Sequence, residues 1–213
     1  MSSSAPKLIA AGRASEIFDL GEGRVLRRFR TGGDPEREAL VMRHADAHGY
    51  PVPRVLEVTA DALVLERIEG STMLDVLRRR PWTLRRHAAL LARLHERLHE
   101  IAAPPTLPAV GPGDRLLHLD LHPDNVILSR DGPFVIDWTN ARRGDPALDV
   151  ALTWVIATSG GPLARLFLRW FLAGFDREEL LRTLPAAAEL RAADRNVTES
   201  ERRAVRRLLQ RVF

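Results

Sequence analysis

Apolar residues in the first part of the chain come in short runs split by turn chemistry. Leu8-Ile9-Ala10 begins a strand, and Ile17-Phe18-Asp19-Leu20 returns after the glycine-containing stretch from Ala11 to Ser15. Gly21-Glu22-Gly23 is a second turn. From Arg24 to Arg30 the chain alternates, with Val25, Arg27 and Phe29 on one face and Leu26, Arg28 and Arg30 on the other. Asp34-Pro35 opens a helix, with Asp34 as N-cap and Pro35 in the first turn, and Gly49 supplies its left-handed stop. Tyr50-Pro51-Val52-Pro53 is extended because each residue before proline is pushed out of the helical region. Two more strands follow, Arg54 to Thr59 and Leu63 to Leu65. The pattern predicts about five short strands and one helix up to residue 65.

Beyond Glu66 the apolar period lengthens. Ser71 is placed to cap a short helix reaching Arg78. Trp82 to Ile101 has Leu84, Ala88, Leu91, Leu94 and Leu98 at helical spacing. Pro104 to Gly113 reads as a linker. Val126-Ile127-Leu128 and Phe134-Val135-Ile136 flank Ser129-Arg130-Asp131-Gly132-Pro133, which predicts a hairpin. Helices are expected over 146–158, 162–174 and 176–192, and Thr198-Glu199-Ser200-Glu201 is a capping box for a last one. The fold class is α+β, strand-rich over 1–65 and helical over 66–213.

Composition narrows the setting. A chain of 213 residues with 45% hydrophobic and 28% charged positions can bury a core of its own. It has no cysteine, which excludes disulfides and thiolate metal sites. Met-Ser-Ser-Ser-Ala-Pro has no apolar core for a secretory signal, and the apolar region from Ala147 to Phe175 is interrupted by charges and Ser159-Gly160-Gly161-Pro162. The expectation is a cytoplasmic protein that does not enter a membrane. Asn196-Val197-Thr198 is a glycosylation sequon that such a protein would not use. The net charge is +4, but arginines alternate with Asp and Glu along the chain, so a solvated surface is expected and not a nucleic-acid partner. Lys7 is the only lysine, which rules out a Gly-Lys-Ser/Thr phosphate loop.

The chemistry is concentrated between His118 and Asp137. Asp120, Asn125 and Asp137 stand in order, and the hairpin is expected to return Asp137 beside Asn125. A carboxylate and an amide oxygen facing one spot suit Mg²⁺, a hard cation that takes oxygen ligands and leaves room for phosphate. A second metal motif is present. His95-Glu96-Arg97-Leu98-His99 is H-E-x-x-H, a zinc pattern, but Ala102 and Pro105 stand where its extended form wants Gly and His. His95 and His99 are therefore expected to pack beside the loop that carries Asp120.

His118-x-Asp120 with Asn125 five residues on, followed by Ile136-Asp137-Trp138, resembles the catalytic and metal loops of the aminoglycoside phosphotransferase and choline kinase group. These are small-molecule relatives of the protein kinases. The resemblance implies a two-lobed kinase-like fold, with an N-terminal nucleotide-binding lobe over 1–65 and a catalytic lobe over 66–213. Glu66 to Gly70 looks like the hinge, where Glu66 and Ile68 would meet adenine through backbone groups. It implies transfer of the γ-phosphoryl of ATP or GTP to a hydroxyl of a small molecule, with Mg²⁺ on Asn125 and Asp137 and Asp120 as base. His118 would brace the loop, and Asp149 in Gly144-Asp145-Pro146-Ala147-Leu148-Asp149 would start a helix and hold the loop from below. Gly12 and Ser15 would cover phosphates, though a plain hairpin turn reads the same. The family's phosphate-gripping Lys is replaced: Arg27 fits best, paired with Glu38, and Arg28 is the alternative. A non-catalytic nucleotide-binding module is the rival reading. The stretch from Asn140 to Gly144 is too short to dock a protein substrate, and the C-terminal lobe is short for this family. Its many arginines speak against a polycationic acceptor. The sequence carries no signal for oligomeric state.

Overall fold

A computed structural model of the chain describes residues 6–12, 15–30, 32–194 and 197–212. Arg13, Ala14 and Asn196, which belong to the glycine loop and the sequon, lie outside the described residues. The chain divides into two compact units. The first comprises residues 1–70 and 127–139, and the second residues 71–126 and 140–213. Chain order alone places the hairpin after Asn125 with the helical part. Its Val135 amide instead donates to Pro51 O at 2.8 Å, and Tyr50 meets the ring of Trp138 edge-on at 5.7 Å.

The first unit is built on an antiparallel sheet. Strands β1 (Lys7–Ala11), β2 (Ser15–Gly21), β3 (Arg24–Phe29), β4 (Val55–Val58) and β5 (Ala62–Glu66) pair in the order β1-β2-β3-β5-β4. Helix α1 (Pro35–Ala47) lies between β3 and β4 in sequence. Asp34 caps it by accepting the Arg37 amide at 3.0 Å, and Gly49, with φ of 71°, ends it. Ala39, Val41, Met42 and Ala45 are its buried apolar residues beyond Pro35, and Glu38 is buried beside them. The alternation of β3 is realised: Arg27 and Phe29 are buried while Arg28 is exposed. Gly70 opens β6 (Gly70–Thr72). A Cβ on Gly70 would fall 2.4 Å from the carbonyl oxygen of Leu128, so only glycine allows this approach.

The second unit is mainly helical. Helix α2 (Met73–Arg79) is capped by Thr72, not Ser71. The helix begins at Met73, so the residue directly before it is Thr72, whose hydroxyl accepts the Asp75 amide at 3.2 Å. Helix α3 spans Leu84–His99, and the predicted start at Trp82 belongs instead to a 3-10 turn, Pro81–Thr83. Trp82 is 77% exposed and has no part in the apolar stripe. Leu91, Leu94 and Leu98 are fully buried on that stripe, each stabilising the unit by about 1.5–3 kcal/mol.

The predicted linker contains β7 (Ala109–Val110), and β8 (Arg115–Leu117) follows it. The hairpin strands are β9 (Val126–Ser129) and β10 (Gly132–Val135), so its turn is tighter than expected and Pro133 lies within a strand. Strand β11 (Arg142–Gly144) runs parallel to β7 and antiparallel to β8. Helices α4 (Pro146–Thr158), α5 (Pro162–Phe171), α6 (Arg177–Ala193) and α7 (Glu199–Val212) complete the unit. The capping box forms: the Thr198 amide donates to Glu201 Oε2 at 2.7 Å, and Thr198 Oγ1 accepts the Glu201 amide at 3.3 Å. Among the described residues no helix is long and apolar enough to cross a membrane.

Candidate active site

In the first unit, strand β3 carries Arg27 inward and α1 carries Glu38 toward it. Arg27 Nη1 stands 2.9 Å from Glu38 Oε1, and Arg27 Nη2 stands 2.6 Å from Asp137 Oδ1. Arg27 is 5% exposed and Glu38 2%. Thr139 joins them: its hydroxyl accepts from Arg27 Nη2 at 2.9 Å and lies 3.0 Å from both Glu38 Oε2 and Asp137 Oδ1. The Trp138 amide donates to Glu38 Oε1 at 3.2 Å. Burial pushes Glu38 above its ordinary value, and the Asp137 carboxylate adds to this, while Arg27, Thr139 and the Trp138 amide pull it back. Burial would lower Arg27, but Glu38 and Asp137 outweigh it and raise it, so the guanidinium stays charged. Arg28, the alternative to Arg27, turns outward over the ring of Phe18 and pairs with Glu16 at 2.7 Å.

Thr139 was not singled out in the sequence. Its place two residues after Asp137 was the one sign of it in the sequence. Asp137 has φ of 67°, a conformation costly for a residue other than glycine and a mark of sites where geometry outranks local stability. Its side chain keeps 43% exposure. Gly12 donates its amide to Ser15 O at 2.8 Å, where β1 ends and β2 begins. In the stretch at the end of β5 that the resemblance assigns to a hinge, Glu66 gives its amide to Arg54 O at 2.9 Å, and Arg67 gives its amide to Gly23 O at 2.8 Å. Ile68 follows in the loop between β5 and β6.

In the second unit, Asp120 precedes a 3-10 turn, Pro123–Asn125, that ends on Asn125. Asn125 Nδ2 donates to Asp120 O at 2.9 Å and to Asp120 Oδ2 at 3.2 Å. With the amide nitrogen committed, the amide oxygen is the atom left to meet a cation. His122 Nε2 lies 3.5 Å from Asp120 Oδ1, and Asp120 keeps 20% of its side chain exposed. His122 Nδ1 accepts the Asp124 amide at 3.3 Å.

The loop is held by Asp149. Its Oδ1 accepts the Leu119 amide at 2.7 Å, and its Oδ2 accepts the His118 amide at 3.0 Å and faces His99 Nε2 at 3.0 Å. Asp149 does not start the helix, as the sequence had been read. Asp145 caps α4 by accepting the Ala147 amide at 2.9 Å, which leaves Asp149 one turn in and pointing at the loop. His118 is fully buried, and its backbone is what Asp149 grips. Burial alone would raise Asp149, but the bond from His99 and the neighbouring His95 and His118 outweigh it and hold the carboxyl well below its usual range.

Behind it, His95 Nδ1 lies 2.9 Å from Leu91 O, and His95 Nε2 lies 3.1 Å from Thr153 Oγ1. A carbonyl only accepts, so the imidazole proton is on Nδ1 and Nε2 faces the hydroxyl. The Thr153 hydroxyl also reaches Leu121 O at 2.8 Å. Burial pushes His95 down to about 4, so it is neutral near pH 7. The H-E-x-x-H histidines are thus committed to Leu91, Thr153 and Asp149. Among the described residues no group of three or more His, Cys, Asp or Glu side chains is arranged to hold a metal.

Known proteins place this arrangement. The description "phosphotransferase enzyme family" covers residues 7–115 and 101–190 of the chain. A thiamine kinase of Salmonella paratyphi B is 49% identical over 39 residues, which are 18% of this chain and 14% of that protein's length. A choline/ethanolamine kinase family protein from Mesorhizobium loti superposes with a TM-score of 0.67 at 16% identity, over 99% of this chain and 87% of its own. A thermostable mutant of aminoglycoside phosphotransferase APH(4)-Ia, in a ternary complex with AMP-PNP and hygromycin B, superposes with a TM-score of 0.72 at 16% identity, over 98% and 93%. At these identities the structures establish the shared kinase-like α+β fold. With the family match running through both units and through the Asp120 loop, the chain belongs to the phosphotransferase enzyme family.

Proposed function

We propose that the protein is a small-molecule kinase that transfers the γ-phosphoryl of ATP to an alcohol. The observation that carries this reading is the Asp120 loop, clamped through two backbone amides by Asp149 and oriented at its tip by Asn125. A base for phosphoryl transfer needs little beyond position, and a loop tied at both places has that. Asp120 orients the acceptor hydroxyl and takes its proton as the oxygen forms its bond to phosphorus and the bond to ADP breaks. Asn125, through its amide oxygen, and Asp137, through its part-exposed carboxylate, would hold Mg²⁺. The ion would supply positive charge against the triphosphate oxygens. Arg27 grips phosphate with its guanidinium fork, while Glu38 keeps it oriented. Glu66 and Ile68 are assigned to the adenine edge, and Gly12 and Ser15 to the phosphate cover.

ATP is favoured over GTP by the AMP-PNP complex of the aminoglycoside phosphotransferase with the same fold. The test is Asp120→Asn. It should bind nucleotide as the wild type does and lose roughly 10²–10⁴-fold in turnover, the span for removal of a general base. Turnover within twofold of wild type would remove Asp120 from this role. Loss of nucleotide turnover in the wild type itself, with nucleotide binding intact, would favour a binding module.

A further inference from the structure

Two elements of the helical unit leave large apolar side chains in water. Helix α5 buries Phe167, Leu168 and Phe171 and turns Leu163, Leu166 and Trp170 outward, the last three 39%, 48% and 37% exposed. Their spacing of three and four puts them on one face. Trp82, 77% exposed, stands in the 3-10 turn ahead of α3. Arg85, three residues on, carries its guanidinium over the ring of Trp170 at 4.6 Å and so joins that turn to α5. We infer that this surface docks on a bilayer of anionic phospholipid, with Trp82 and Trp170 at the level of the headgroups.

Charge selects the partner. Between Asp75 and Glu96 the chain has no acid and six arginines: Arg78, Arg79, Arg80, Arg85, Arg86 and Arg93. All six are exposed. Helix α5 adds exposed Arg165 and Arg169, and no acid stands between Asp149 and Asp176. Asp75 meets Arg78 and Arg79 only loosely, at 3.6 and 3.9 Å. Among the described residues Arg80, Arg85, Arg86, Arg165 and Arg169 face no carboxylate at ion-pair distance. Glu96, the one acid of α3, lies about three turns beyond Arg85. The net charge of the whole chain, +4, hides this local excess.

The apolar side chains separate a bilayer from other anionic partners. Leu163 and Leu166 offer nothing to a nucleic-acid backbone, and Arg85 covers a face of Trp170 on which a base would stack. A second copy of the chain would meet this face through a twofold axis and crowd arginine against arginine. A bilayer uses every part of it. Leucines pass below the headgroups, and tryptophans sit at the interface. Arginine stems lie along the apolar surface while their guanidinium groups reach lipid phosphate. Three outward apolar residues on a ten-residue helix suffice to lie on a bilayer and are too few to span one.

The test is flotation of the full chain with vesicles of phosphatidylcholine, alone or mixed with phosphatidylglycerol. The chain should float with the mixed vesicles and not with phosphatidylcholine alone, and added salt should weaken binding. Arg85→Gln/Arg86→Gln should weaken it by roughly 25-fold, about fivefold for each arginine near an anionic surface. Leu166→Ser and Trp82→Ser should each weaken it by about fivefold or more. These two lie on different elements, so a lowered melting temperature in one leaves the other to decide. Arg207→Gln/Arg211→Gln, on the exposed side of α7, should leave binding unchanged. Equal weakening in that control would show attraction to net charge alone and overturn the site. Absence of flotation with the mixed vesicles, or flotation indifferent to both Leu166→Ser and Trp82→Ser, would overturn it too. Binding of single-stranded RNA lost in Arg85→Gln/Arg86→Gln, without vesicle binding, would give the surface to nucleic acid. A dimer that Leu166→Ser dissolves, again without vesicle binding, would give it to a second copy.

Discussion

Each unit buries one charged cluster, and the two are built in opposite ways. The Arg27–Glu38–Asp137–Thr139 cluster joins side chains to side chains, except for the Trp138 amide. The Asp149 cluster joins a side chain to backbone: two of its three donors are the amides of His118 and Leu119. The first can exchange partners, because each partner can rotate. The second can only be kept or lost, because the amides belong to the loop. A group that must accept phosphate and a cation needs the first design. A base that must stay in place needs the second.

The largest effect should come from Asp149. Asp149→Asn leaves at least one loop amide facing an amide nitrogen, which should cost about 3–5 kcal/mol in urea unfolding. Removing His99 as well should not restore it, since the loop amides remain. Full recovery in Asp149→Asn/His99→Leu would mean that His99, not the loop, is the partner that matters.

Arg27 should behave in the opposite way. Arg27→Met strands Glu38 and costs about 3 kcal/mol, near the lower end for a broken buried pair because Asp137 is part-exposed. Arg27→Met/Glu38→Leu should recover most of that stability while nucleotide affinity stays lost. A double variant no more stable than the single one would show that the cluster is as fixed as the Asp149 clamp.

Acid separates His95 from Asp149 within the helical unit. His95 is depressed from 6.5 to about 4, so between these values the unfolded chain binds a proton that the folded chain refuses. Stability should therefore fall by about 3 kcal/mol as pH drops from about 6.5 to about 4. His95→Gln should flatten that window. Asp149 has a depressed folded value, so its contribution is complete above the unfolded carboxylate value, about 3.9, and is lost as pH falls through the folded one. A melting temperature constant from pH 6.5 to 4.5 in the wild type would contradict the assignment for His95.

The smallest effects test the hydroxyls. Thr139→Val and Thr153→Val should each cost about 1 kcal/mol, the net worth of a typical hydrogen bond. Only Thr139→Val should also weaken nucleotide binding, because Thr139 touches Arg27 and Asp137. Equal loss of binding in both variants would erase the distinction between the clusters.

Much of this was legible in the sequence, for local reasons. Strand alternation turned Arg27 inward and Arg28 outward, since side-chain direction in a strand depends only on position. Asp34-Pro35 and Thr198 with Glu201 marked helix starts through chemistry spanning four residues or fewer. The spacing of Asp120 and Asn125 is short enough that one turn brings them into contact. Other features were decided by tertiary structure alone. A two-residue strand such as Ala109–Val110 has no period to detect and exists because β11 lies beside it. Thr72, not Ser71, caps α2, because the helix starts one residue later than its sequence signal, and Trp82 leaves the helix because nothing buries it. The Arg27–Asp137 contact joins residues 110 positions apart, and the Arg85–Trp170 contact joins α3 to α5. Which face an element buries is written in its own few residues, whereas what that face meets depends on elements far along the chain.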